Sequence, residues 1–103
     1  MSDRDIITGY RDNVIGIHVI REHMEWNIRH GLPVLHMPEQ IQRLADDVIR
    51  FDDILDLIPD RRARNVLCCR FALGLTERDT ALYLDLCPNK IGIITREALA
   101  MLN

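Results

Sequence analysis

An all-α fold is predicted for this 103-residue chain by three observations. Apolar residues recur at spacings of three, four and seven through both halves, the period of one helix face. Pro33, Pro38, Pro59 and Pro88 stand at the edges of those stripes, where they start or stop helices. Hydrophobic residues make up 48% of the chain but aromatics only 5%, so the core is aliphatic. The length suits one small domain, or one domain with a helical extension, and is too short for a two-lobed enzyme.

The first helix is expected from about Asp3 to His30, with Ile7, Tyr10, Val14, Ile17, Met24 and Ile28 on one face and Ile6, Ile20 and Leu32 widening it. It would be roughly 40 Å long, and Gly9 and Gly16 are places where it can bend or break. Gly31 and Pro33 stop it. Pro38 and Glu39 open the second helix. Ile41, Leu44, Val48, Phe51, Leu55 and Ile58 form a heptad seam on it, able to pack on the first helix or on a second copy of the chain. Leu44 and Phe51 are the partner-binding candidates in that seam. The opposite face carries Asp46, Asp47, Asp52, Asp53 and Asp56, read as solvated.

Pro59 is expected to end the second helix. A third follows from Asp60 to about Leu73, basic through Arg61, Arg62, Arg64 and Arg70, and stopped by Gly74. Thr76 caps a fourth helix, about Glu77 to Leu84, with Asp79 placed as in a capping box and the small Ala81 at its middle. Asp85 takes a sharp turn, Leu86 plugs the corner, and Cys87-Pro88 open a fifth helix with Ile91, Ile94 and Ala98 facing inward. A small residue, a tight turn, an apolar plug and an inward branched residue make a helix-turn-helix pattern.

The stretch from Ile58 to Leu102 resembles region four of bacterial sigma factors and the related helix-turn-helix regions of phage-encoded regulators. Ile58-Pro59 stands for the family's Leu-Pro. Phe71-Ala72-Leu73-Gly74-Leu75-Thr76 matches its corner, and Cys87-Pro88 replaces Ser-Pro. Three departures accompany the match. Asp85 occupies the turn where Gly is usual, Cys87 replaces the capping Ser, and Gly92 and Ile93 stand where hydrogen-bonding side chains are typical. The chain therefore divides into a helical hairpin, residues 1–57, read from its apolar stripes and expected to serve dimerisation or partner binding, and a helix-turn-helix domain, residues 58–103, which carries the resemblance. The resemblance implies a small non-enzymatic transcription regulator of phage or mobile-element type that binds double-stranded DNA. The apolar stripes of the first two helices, more than a hairpin alone needs, predict a homodimer through them. Thr76, Arg78 and the third-helix arginines would hold phosphates, and Asn89, Lys90 and Arg96 would face the major groove. The competing expectation is a protein-binding inhibitor or adaptor that docks through Ile93 on RNA polymerase, a sigma factor or a host defence complex.

Charge is uneven. Residues 1–58 hold six Arg and eleven acids, and residues 59–103 hold seven Lys or Arg and five acids. An overall net charge of -3 excludes a basic binder over its whole surface, though not a local basic patch. His18, His23, His30 and His36 lack the convergence a metal site needs, and no nucleophile or phosphate-loop motif is present. No catalytic residue, metal or cofactor is therefore expected. Cys68, Cys69 and Cys87 offer no CxxC spacing and read as reduced thiols of a cytoplasmic protein. The N-terminus lacks the apolar run of a signal peptide, and no membrane-spanning stretch occurs.

Overall fold

The computed structural model describes residues 2–103 and is all-helical. Its six α-helices are α1 (Asp3–Thr8), α2 (Tyr10–Arg29), α3 (Met37–Leu55), α4 (Arg61–Leu67), α5 (Glu77–Leu84) and α6 (Pro88–Ala100), with a π-helical turn at Cys68–Ala72 between α4 and α5. No helix is long and apolar enough to cross a membrane among the described residues.

The expected first helix is two. Ser2 caps α1 by accepting the Asp5 N–H at 3.2 Å, and the chain breaks at Gly9. A Cβ at Gly9 would stand 2.9 Å from the Asp5 carbonyl oxygen, so only glycine fits this junction closely. Gly16 does not break α2. It lets α3 approach instead, with the position of a Cβ only 3.1 Å from Leu44 Cδ1. Helix α2 ends in a Schellman motif: Gly31 has φ +68, the Leu32 N–H bonds the Asn27 carbonyl and the Gly31 N–H bonds the Ile28 carbonyl.

Helices α2 and α3 run antiparallel. The rings of Tyr10 and Phe51 pack tilted at 39° with centroids 4.3 Å apart, and Gly16 meets Leu44; as one residue number rises, its partner's falls. The α3 seam therefore packs on α2 of the same chain. This corrects the expectation for Phe51, which is 3% exposed in the core and unavailable to a partner. Leu44 is half-buried against α2. Ile58, expected in the helix, lies beyond its end at Leu55 and is nonetheless fully buried.

The main core joins Ile6 and Ile7 of α1, Phe51, Ile54 and Leu55 of α3, Ile58 of the segment between α3 and α4, Ala63 and Leu67 of α4, and Ala98 of α6. It spans the boundary expected at residue 57, so hairpin base and C-terminal helices share one interior. The Arg4 N–H also bonds the Asn103 carbonyl at 3.0 Å, tying the two ends of the chain together. By contrast, no side chain between Val14 and Arg50 is fully buried. The outer part of the hairpin is a two-helix arm projecting from the core.

Candidate nucleic-acid interface

The C-terminal helices are positioned by a small second core. Val66 of α4, Ala81 of α5 and Ile91 of α6 are buried together, with Leu84, Leu86 and Ile94 packed against them. Ala81 is 2% exposed, as a close crossing of two helices requires. The Thr76 hydroxyl oxygen accepts the Asp79 N–H at 3.1 Å and caps α5. Asp85 ends α5 in the left-handed region, φ 56 and ψ 52, the conformation that turn chemistry predicts for it. The Leu86 N–H then bonds the Ala81 carbonyl at 2.9 Å, folding the chain back onto α5.

This turn aims α6. Its inward residues Ile91 and Ala98 are buried, whereas Asn89, Lys90, Ile93, Arg96 and Glu97 are exposed. Asn89, Lys90 and Arg96, the expected base-facing residues, thus stand on one open side. Ile93 shares that side at 46% exposure. Arg78 is exposed on α5. Thr76 already uses its oxygen as a helix cap, leaving its O–H as the group free to donate.

The third-helix arginines divide. Arg64 donates to the Ile58 and Pro59 carbonyls at 2.7 and 3.0 Å, and Arg70 donates to the Leu75 carbonyl. These two tie the corners before and after α4 and the π-helical turn, and each is only half-exposed. Arg61 and Arg62 remain exposed and, with Asn65, line a groove beside Leu84, Asp85 and Leu86 of the turn. Five of the seven basic residues in residues 59–103 are therefore exposed: Arg61, Arg62, Arg78, Lys90 and Arg96. Asp60, Glu77, Asp79, Asp85 and Glu97 are exposed as well, so the local surface is balanced rather than basic.

Sequence reasoning missed two features here. Glu77 lies against the middle of α6, and Leu82 and Tyr83 of α5 are 75% and 72% exposed. With Leu75 and Asp79 they line a shallow apolar groove. The four histidines are all exposed. Among the described residues no three His, Cys, Asp or Glu side chains are grouped to hold a metal ion. No family model, curated protein or solved structure matches this chain.

Proposed function

We propose that this protein is a small non-enzymatic transcription regulator of phage or mobile-element type, whose α6 reads double-stranded DNA from the major groove. The observation that carries this is the open side of α6, where Asn89, Lys90 and Arg96 are solvent-exposed on a helix anchored through Ile91 behind a left-handed turn at Asp85. Asn can pair with adenine and Arg with guanine or phosphate. The resemblance of residues 58–102 to sigma region four supports the same reading. The balanced surface charge makes a single module a weak, salt-sensitive binder, because affinity tracks the number of neutralised phosphates.

A second reading is favoured by exposed Leu82, Tyr83 and Ile93 beside that balanced charge. In it the same face docks on a protein such as RNA polymerase or a sigma factor. One mutant set separates the two. DNA selection from a random pool, followed by titration, should show Arg96→Ala weakening binding and flattening its salt slope by about one unit. Asn89→Ala should relax one base position at about 1–3 kcal/mol. An Ile93→Asp protein that loses regulation while DNA binding in all variants stays at background would instead establish the protein-docking reading.

A further inference from the structure

Helix α2 is apolar on two opposite sides. Tyr10, which packs on Phe51 of α3, shares one side with Ile17 and Met24 at 100° per residue, and all three are half-buried. Ile15, Val19 and Trp26 point roughly 180° away at 100° per residue, and are 52%, 55% and 45% exposed. The outer side repeats as Asp12, Ile15, Val19, Glu22, Trp26 and Arg29, alternating three and four apart, the spacing of a two-helix seam. All six are outside the core, and Asp12 and Arg29 have no ion-pair partner among the described residues.

We infer that this face binds the same face of a second copy, with the two α2 helices antiparallel. The six residues are self-complementary in that direction alone. Asp12 meets the partner's Arg29, Ile15 meets the partner's Trp26, and Val19 meets the partner's Glu22, whose methylenes cover it while its carboxylate reaches water. Each layer occurs twice about a two-fold axis, as an isologous interface demands. Parallel pairing would instead oppose Asp12 to the partner's Asp12, Glu22 to the partner's Glu22 and Arg29 to the partner's Arg29. Like charges therefore reject the parallel alternative. The paired segment is about 26 Å long, and it supplies the outer arm with the apolar cover that one chain lacks. Because α2 starts at the core and runs outward, antiparallel pairing sets the two C-terminal helical modules at opposite ends.

Sedimentation of the full chain at tens of micromolar should give twice the mass of one chain. Trp26 is the sole tryptophan, so its emission should shift to the blue as concentration rises. Val19→Asp should yield a monomer with unchanged helix content, since the residue is exposed in one chain. Asp12→Arg and Arg29→Asp should each weaken association at least tenfold, and the double exchange should restore it. A wild-type monomer at that concentration overturns the inference. So does a dimer indifferent to Val19→Asp, or a double exchange no better than either single one.

Discussion

The first carboxylate of α5 lies over the middle of α6: a Cβ placed on Gly92 would stand 3.4 Å from Glu77 Oε1. Gly92 lies between Asn89 and Arg96 along the helix side expected to read bases. An anion at this place opposes phosphate and lowers the local positive potential made by Lys90 and Arg96.

Under the DNA reading, Glu77→Gln should tighten binding roughly two- to fivefold at low salt, with the gain fading as salt rises. Titration of a labelled duplex at two ionic strengths measures this. Unchanged or weaker binding would place the nucleic-acid surface away from the α5 and α6 contact.

Asp85 carries the turn at φ 56, where an L residue bears a Cβ penalty that glycine lacks. Asp85→Gly should raise stability by about 0.5–1 kcal/mol in denaturant unfolding, even after the greater chain entropy of glycine in the unfolded state. A loss of stability would assign the Asp85 carboxylate a bonding role in the corner.

Thr80 is fully buried and its hydroxyl oxygen has no hydrogen-bond partner. Valine has nearly the same shape without the polar atom. Thr80→Val should stabilise the chain by about 1 kcal/mol, the scale of a buried hydroxyl left unpaired. A destabilised variant would mean that the hydroxyl is hydrogen-bonded in solution, most simply by a water.

The parts legible from sequence are those set by local chemistry. Thr76 caps α5, Ala81 allows a close crossing, Asp85 accepts positive φ and Gly31 closes α2; each needs only its neighbours in the chain. The features that sequence hid depend on packing between distant residues. Phe51 is buried in a core with residues as distant in sequence as Ile6 and Ala98, and Tyr10, 41 positions away, packs on its ring. The roles of Arg64 and Arg70 depend on carbonyls at the Ile58–Pro59 and Leu75 corners. The π-helical turn, with the Leu73 N–H reaching back to the Cys68 carbonyl at 3.0 Å, has no residue signature of its own. The outer stripe of α2 was masked because Asp12 and Glu22 interrupt it, and their charges acquire a meaning only when a second helix is laid alongside.

The three thiols should behave in two ways. Cys87 is exposed at the N-cap of α6, whereas Cys69 is buried and Cys68 half-buried. A thiol reagent should therefore modify one cysteine per native chain quickly and all three only after unfolding. A bulky adduct on Cys87 stands at the entrance of the base-facing helix, so it should also abolish DNA binding while leaving helix content intact. The other two thiols predict an alkaline limit. Burial pushes both Cys68 and Cys69 up from their ordinary value of 9.0, with the neighbouring Cys69 and Asp52 adding to the effect at Cys68. Above that ordinary value the unfolded chain loses these protons before the folded chain does. The unfolded state then binds fewer protons, so stability falls as pH rises from about 9. Urea midpoints measured from pH 7.5 to 10 should decline over the upper part of that range. In Cys68→Ala/Cys69→Ala the same series should be flatter, although its starting stability is lower because one buried and one half-buried side chain have been shortened. An equal alkaline decline in both proteins would move the cause to other titrating groups and leave the buried thiols without a share in it.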